Sequence, residues 1–265
     1  MNRILFLALI ILTISCNDSK STKIDITQKT DTISKTDLSS ENPEFKIDSS
    51  KKVDIGYYDT YEKLPKLNFE TITEKEFLSL EQKKYIQTLK PEQNKNFFYV
   101  QTALKKHKFK KYGDYGGAES WSEFAYFGYY PTSKLFAITE NSASESLGFG
   151  QLFLLDSLND YIYNIISFGD GSVELPIPSI NNKYFVYFYN SVYEHKNSDI
   201  GVLKINDKSN PINYLSEYSS YKSEEFAIEK IIWKTDNIFF VKGYEEVYEK
   251  DEWIKKYKYY KTEFD

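Results

Sequence analysis

Cysteine is nearly absent from this sequence. Cys16 is the only one among 265 residues, so the chain cannot close an intramolecular disulfide. The zinc sites built from paired C-x-x-C motifs are excluded on the same count. The fold must therefore depend on its hydrophobic core alone.

Histidine is almost as scarce, since the chain has only His107 and His195. A Ser-His-Asp or Cys-His site needs a positioned base, and no G-x-S-x-G elbow accompanies either histidine. The H-E-x-x-H pattern of zinc hydrolases is missing too. Acidic residues at 156–160 and 170–174 are more typical of ordinary turns than of calcium ligands. The sequence therefore predicts no catalytic residue, no metal site and no cofactor.

Arginine is limited to Arg3, and the formal net charge is −5. Arginine supplies the planar fork that binds phosphate and carboxylate groups in a bidentate manner. An acidic chain also attracts nucleic acid poorly. We therefore expect no nucleic-acid partner.

Long hydrophobic runs are missing as well. The main apolar run covers residues 4–12, whereas a helix that crosses a bilayer needs about 20 apolar residues. Asn2 and Arg3 precede this run, and Thr13, Ile14, Ser15 and Cys16 follow it. A charged start, a short apolar core and small residues are typical of a signal peptide.

The order of these N-terminal residues, with the cysteine last, resembles the signal of bacterial lipoproteins. The resemblance implies removal of residues 1–15 and lipidation of Cys16. The partner would then be a membrane, reached through the N-terminal lipid, and the location would be the periplasmic or outer-surface face of a bacterial envelope. Leu12 lies one place further from the cysteine than the family's usual leucine. An ordinary secretory signal is the alternative.

Residues 16–52 have the composition of a tether. Serine, threonine and balanced charges dominate, and large apolar side chains are sparse. Such a segment buries too little surface to offset its ordering entropy. We therefore predict a disordered tether over 16–52, with an edge strand at residues 23–33 as the alternative.

Aromatic residues are abundant, with 24 tyrosines and 19 phenylalanines. This composition favours strands, so we predict a single, mainly β domain over residues 53–265. Its leading segment, 53–111, contains one predicted helix at 74–89. Thr73 and Glu76 have the spacing of a capping box, and Pro91 would stop the helix.

Residues 124–265 contain three similar runs, each with a polar turn followed by alternating large apolar residues. The runs cover residues 131–138, 179–187 and 234–241. Their spacing and turn residues resemble the blades of bacterial β-propellers, which repeat a few short strands per unit. The resemblance implies three blade-like antiparallel meanders in an open stack, or a partial propeller completed by residues 53–111. A β-sandwich is the alternative.

Residues 105–111 contain five lysines and one histidine. Lys105, Lys106 and Lys108 are candidates for binding an anionic ligand. The sequence favours a solvated edge strand instead, because lysines discourage pairing at sheet edges.

Aromatic clusters offer a second candidate site. Trp121, Trp233 and Trp253, and clusters such as residues 126–130 with Tyr129 and Tyr130, are candidates for a stacking platform that binds a glycan or an extended peptide. The sequence favours the other interpretation, in which these rings fill a core that is short of aliphatic residues.

Together these features predict a lipid-anchored envelope protein that binds a protein, peptide or glycan without catalysis. One alternative is an envelope hydrolase that uses carboxylates, with Glu119, Glu123 or Asp170 as candidates. Another is an accessory or inhibitor subunit of an envelope complex.

Overall fold

Strands dominate the structure, as the aromatic-rich composition predicts. The computed structural model describes residues 43–56, 58–81, 83–113, 121–144, 147–191 and 196–265. The strands in these ranges are β1 (Lys52–Ile55), β2 (Phe69–Ile72), β3 (Glu92–Gln93), β4 (Phe97–Gln101), β5 (Lys106–Lys110), β6 (Trp121–Tyr130), β7 (Leu135–Ser144), β8 (Leu147–Asp156), β9 (Ile162–Ile165), β10 (Ile177–Pro178), β11 (Tyr184–Asn190), β12 (Ser198–Ile205), β13 (Leu215–Ser223), β14 (Ala227–Trp233), β15 (Ile238–Glu249) and β16 (Glu252–Glu263). The helices there are α1 (Tyr58–Lys63) and α2 (Glu74–Leu78).

The strands form four sheets. Sheet 1 has the order β3-β4-β5, and sheet 2 has the order β1-β9-β8-β7-β6. Sheet 3 has the order β10-β11-β12-β13, and sheet 4 has the order β14-β15-β16-β2. All pairings between these strands are antiparallel except β1 with β9. The prediction of a mainly β, antiparallel meander fold is confirmed, with four sheets rather than the two of a sandwich.

Three hydrophobic cores join the sheets in the order 1, 2, 3, 4. The alternation of a strand explains this stacking, because successive side chains point to opposite faces. On β8, Phe153 packs with sheet 1, whereas Leu152 and Leu154 pack with sheet 3. On β11, Tyr187 faces sheet 2 and Val186 faces sheet 4. Sheets 2 and 3 are thus covered on both faces, which is why their central strands read as near-continuous apolar runs.

The three runs predicted from the sequence occupy equivalent places in sheets 2, 3 and 4. Each leads into the second strand of a meander, namely β7, β11 and β15. A second pair of similar segments, residues 150–156 and 201–206, each begins with a glycine, and they lie in or at the end of the third strands, β8 and β12. The leading segment supplies sheet 1 and also β2, which closes the edge of sheet 4. A common origin of the runs as repeats stays a prediction.

The predicted helix at 74–89 is wrong in its extent. Its start is as expected, because Thr73 and Glu76 form a reciprocal capping box. The helix nevertheless ends at Leu78. Further on, Gln87 pairs with Tyr129 of β6 through N–O bonds of 2.8 and 2.9 Å. Gly128 permits this approach, since a Cβ there would lie 2.8 Å from Ile86. Pairing with sheet 2 therefore displaces the local helical preference.

The predicted tether is also too long at its C-terminal end. Phe45 donates a backbone hydrogen bond of 2.7 Å to Lys108 of β5. Its ring lies 4.3 Å from that of Phe109 and also contacts Phe124 and Phe153. Lys52 already belongs to β1. Residues 43–52 are therefore part of the fold, because the apolar residues among them complete the core between sheets 1 and 2.

Residues 1–42 lie outside the described part of the chain, and with them the predicted signal peptide and Cys16. The predicted edge strand at 23–33 lies there too. Among the residues that are described, no helix is long and apolar enough to cross a membrane.

Candidate functional site

The predicted aromatic platform is divided by the fold. Tyr130 is only 2% exposed and donates a 2.7 Å hydrogen bond to the carbonyl of Pro176. Its prediction as a ligand contact is therefore wrong, since it belongs to the core between sheets 2 and 3. Tyr129, one place earlier on β6, is half-buried and packs 4.7 Å from the ring of Phe136. Trp121, at the start of β6, lies 5.6 Å from the ring of Tyr112.

The three tryptophans do not gather on one surface. Trp233 is 5% exposed, and its indole N–H donates to the carbonyl of Ile177 at 2.9 Å. Trp253 is 56% exposed near the turn between β15 and β16. Trp121 belongs to sheet 2. A shared tryptophan platform is thus not present.

The lysines of β5 follow the alternation of an edge strand. His107 and Phe109 are buried, whereas Lys106, Lys108 and Lys110 lie on the opposite face. Lys106 pairs with Glu92 at 2.6 Å, and Lys110 pairs with Glu123 at 2.6 Å.

Two further lysines of residues 105–111 have contacts of their own. The ammonium group of Lys108 lies 4.3 Å from the ring centroid of Phe97. Lys105 is 61% exposed, with its ammonium group 3.8 Å from Asp160. Because the ammonium groups of Lys106 and Lys110 already have carboxylate partners, this face is a poor general site for anions.

Lys106 instead borders a groove between sheets 1 and 2, which we call the aromatic groove. The groove encloses about 350 Å³. Its walls come from the segment before β3 and from strands β3, β4, β5, β6 and β7. The lining residues are Leu89, Lys90, Pro91, Glu92, Tyr99, Val100, Gln101, Lys106, Tyr126 and Phe136.

Local backbone geometry shapes the aromatic groove. The register of β6 against β7 shifts between Tyr126 and Gly128, which marks a bulge. A bulge bends its strand and redirects nearby side chains. Tyr126 accordingly lines the groove. Phe127, the next residue, is 43% exposed and does not line it.

The polar groups of the aromatic groove come from both sheets. The ammonium group of Lys106 lies 4.8 Å from the ring centroid of Tyr99 and binds Glu92. Burial, with a smaller effect of Tyr129, raises the pKa of Tyr126 to about 12. The Tyr126 hydroxyl therefore stays protonated at neutral pH and can donate a hydrogen bond to a ligand. Aromatic faces beside a few fixed polar groups are typical of small-molecule and sugar sites.

Two further concavities lie within the described part of the chain. A cavity of about 190 Å³ lies between the turns that follow β6 and β10 and the last residues of β14, and Tyr85, Thr132, Asn182 and Trp233 line part of it. A third, of about 360 Å³, lies near Phe45 and includes Glu44 and Glu140. Each of these two is lined by two aromatic side chains, whereas the aromatic groove is lined by three.

Glu123 and Asp170, the two described carboxylates proposed for a hydrolase, are not brought together. Glu123 is fully buried and paired with Lys110. Asp170 is exposed, and its carbonyl accepts a hydrogen bond from Gly150 of β8. Two strand spacings separate Glu123 from Gly150, so the backbones of Glu123 and Asp170 lie roughly 14 Å apart. Glu119 and His195 lie outside the described residues.

His107 forms a buried pair with Asp160, since its Nε2 lies 3.0 Å from the carboxylate. No nucleophile contacts the imidazole among the hydrogen bonds of the described residues. Within the same ranges, no cluster of three or more histidine, cysteine or acidic residues is placed to hold a metal ion.

The alternation in the sequence could have indicated part of the aromatic groove. Tyr99 and Lys106 occupy outward positions of β4 and β5 that a two-residue period marks. Phe136 and Tyr126 could not be assigned in this way, because their exposure depends on which sheet covers which face. Comparison of the chain with protein-family models, curated proteins and solved structures found no match in any of the three.

Proposed function

We propose that this protein is a lipid-anchored, non-enzymatic binding module of a bacterial cell envelope. The aromatic groove is the observation that carries the binding role. Its volume of about 350 Å³ falls within the range of about 300–1,000 Å³ that small-ligand sites occupy. The N-terminal pattern that ends at Cys16 supports the anchored location.

The chemistry of the aromatic groove favours a ligand with a flat apolar face and several hydroxyl or amide groups. Tyr99, Tyr126 and Phe136 offer ring surfaces, and Gln101 offers an amide. Lys106 and Glu92 present opposite charges side by side. Sugars and short peptides of the envelope combine these features, so we propose a glycan or peptide ligand of that kind.

Calorimetric titration with a muropeptide, a disaccharide that carries a short peptide, tests this role. Tyr126→Ala should weaken its binding about tenfold, because a stacking ring and a donor hydroxyl are lost. Phe127→Ala is the matched control, since it removes a neighbouring ring that does not line the groove, and it should leave the affinity unchanged. Absence of binding to the wild-type protein, or equal losses in both variants, would contradict the role of the groove.

A further inference from the structure

Six connections between strands lie together at one end of the stacked sheets, which we call the turn end. In an antiparallel meander, alternate connections fall at the same end of the sheet. The six link β4 to β5, β6 to β7, β8 to β9, β10 to β11, β12 to β13 and β14 to β15, over residues 102–105, 131–134, 157–161, 179–183, 206–214 and 234–237. Each sheet therefore contributes at least one connection to this end.

Hydrogen bonds between the connections of sheets 1, 2 and 3 show that they share one end. The backbone N–H of Ala103 donates to the carbonyl of Ser157 at 2.7 Å, and that of Ser157 donates to the carbonyl of Lys134 at 2.9 Å. The Tyr214 hydroxyl donates to the carbonyl of Ser133 at 3.5 Å.

The remaining connections join the same surface. Ile205, at the end of β12, donates a backbone hydrogen bond to the carbonyl of Lys183 at 2.9 Å. The backbone N–H of Asn181 donates to the carboxylate of Asp236 at 2.7 Å. The connections of sheets 3 and 4 are thereby joined as well.

The turn end carries an unusual share of the exposed aliphatic side chains. Of the seven large aliphatic side chains that are exposed in the described ranges, four lie here, and they are between 41% and 61% exposed. They are Leu104, Leu158, Ile180 and Ile212. Because stacked sheets lie about 10 Å apart, these side chains are spread over about 20 Å across sheets 1 to 3. Such a row fits a broad, flat apolar layer better than it fits one small ligand.

The same six connections are positively charged. They contain five lysines and three aspartates, whereas the whole chain has a net charge of −5. Asp160 is buried against His107, and Asp236 is half-buried. Asp207 is thus the one exposed acid of these connections, beside four exposed lysines, namely Lys105, Lys134, Lys183 and Lys234.

The opposite end of the stack has the opposite charge. Glu224 and Glu225, between β13 and β14, are both exposed there. Lys105 and Lys183 at the turn end approach Asp160 and Asp236 only to 3.8 and 3.7 Å, which is longer than a hydrogen bond. A negatively charged surface would therefore attract the turn end and repel the opposite end.

We propose that the turn end lies on the surface of a bilayer that contains anionic lipids, with its four aliphatic side chains in the headgroup layer and its lysines at the phosphate groups. This inference rests on the proposed anchor at Cys16, which brings the folded body to a membrane. The chain from Cys16 to Pro43 can span at most about 90 Å. An anchor of that reach lets any face meet the bilayer, so the chemistry of the surface decides the orientation.

The composition of the turn end favours a bilayer over a protein partner. Protein interfaces are enriched in aromatic residues and arginine and depleted in lysine. Aliphatic side chains flanked by lysines are instead typical of surfaces that lie in the headgroup layer, because lysine stems cover apolar surface while their ammonium groups reach phosphates.

Quenching of a single fluorescent label tests the orientation. In the lipidated protein Cys16 carries the lipid, so Leu158→Cys introduces one free thiol at the turn end. Leu147→Cys is the matched control, because Leu147 is 60% exposed and begins β8 at its opposite end, about 30 Å away. On vesicles with equal parts of phosphatidylcholine and phosphatidylglycerol, headgroup spin labels should quench the label at residue 158 at least about threefold more than the label at residue 147.

Equal quenching of the two labels, or stronger quenching at residue 147, would overturn the proposal. A second copy of the chain is the other occupant that the apolar row could accept. Equal quenching together with a dimer that Leu158→Asp disrupts in sedimentation velocity would assign the turn end to that contact instead.

Titration of the full chain with Cys16→Ser tests the turn end without the anchor. In this background, Lys105→Gln with Lys183→Gln should lower partitioning into the same vesicles about tenfold, because two contacts with anionic lipid are lost. Lys222→Gln with Lys250→Gln is the matched control, since these two exposed lysines lie at the opposite end. The control should change partitioning by less than about twofold, because its charges lie beyond the Debye length from the bilayer.

Equal losses in the two double variants, or a Cys16→Ser chain that does not partition at all, would overturn the proposal. Failure of the anchor gives a different result. A wild-type chain that takes up no palmitate, while the Cys16→Ser chain partitions with the expected lysine dependence, would contradict the anchor and leave the turn end as the membrane contact.

Discussion

At the scale of single residues, His107 and Asp160 show how the fold uses one of its two histidines. The two side chains are 6% and 7% exposed and lie 3.0 Å apart. Burial lowers the pKa of His107, the hydrogen bond and charge of Asp160 partly oppose this, and Lys105 and Lys51 lower it further. The imidazole is therefore neutral near pH 7 and links β5 to the turn before β9.

This pair predicts a pH dependence of stability. The His107 pKa is lower in the folded chain than its ordinary value of 6.5, so the unfolded chain binds a proton first as the pH falls. The free energy of unfolding should therefore decrease as the pH falls below about 6.5. In His107→Gln, urea unfolding at pH 7, 6 and 5 should show a smaller decrease than in the wild type.

His195→Gln supplies the control for this measurement, because it removes the other histidine. We expect it to keep the wild-type decrease between pH 7 and pH 5. If His107→Gln shows the full decrease, the buried pair is not its source.

At the scale of elements, residues 43–47 have the composition of a tether, but their tertiary contacts make them part of the fold. Phe45 is flanked by exposed residues, yet its ring contacts those of His107, Phe109, Phe124 and Phe153. The isolated bridge between Glu44 and Lys108 adds backbone pairing at the edge of sheet 1. This short segment thus covers an edge that the lysines of β5 alone would leave open.

Phe45→Ala should lower the free energy of unfolding by about 2 kcal/mol, because a partly buried ring leaves a cavity among other rings. Lys46→Ala is the matched control, since Lys46 is the exposed neighbour and should change stability by less than about 0.5 kcal/mol. Chemical denaturation of both variants gives the comparison. Equal stabilities would mean that the segment contributes nothing to the core.

The segment after α2 is not helical, although its sequence favours a helix. The capping box at Thr73 starts a helix, and residues 74–89 carry apolar side chains at helical spacing. The edge of β6 competes for the same backbone groups, and pairing of Gln87 with Tyr129 takes them. A helix of five residues is also too short to be stable without its packing contact, which Phe77 makes with Ile232 and Phe240.

At the scale of the whole molecule, no intramolecular disulfide bond can hold the stack of sheets together, because the only cysteine is Cys16. Three cores of interleaved aliphatic and aromatic side chains hold sheets 1 to 4 together. This leaves the single thiol free for the lipid attachment that we propose.

Cys16→Ser should abolish incorporation of labelled palmitate in a bacterial host that processes lipoproteins, since the thiol is the proposed attachment point. Ser21→Ala, a change in the same segment that keeps the cysteine, should retain the label. An unlabelled wild-type protein, or a label that persists in Cys16→Ser, would contradict the anchor.

The sequence alone determined the class of the fold and the places of several strands. Alternating apolar residues near 135–138, 184–187 and 238–241 predicted strands that the structure contains as parts of β7, β11 and β15. Periodicity is a local property, so neighbouring residues suffice to reveal it. The lysine pattern of β5 and the capping box at Thr73 could also be recognised from the sequence, because each depends only on residues that are close together in the chain.

Only the tertiary structure decided which faces are buried and which residues share a site. Tyr129 and Tyr130 are adjacent in an aromatic cluster, yet sheet 3 covers Tyr130 and leaves Tyr129 half-buried. The aromatic groove joins Tyr99 to Phe136 across two sheets, and β14 and β2 pair with only part of the β15–β16 hairpin. These features arise from contacts between residues far apart in the chain, which local pattern does not specify.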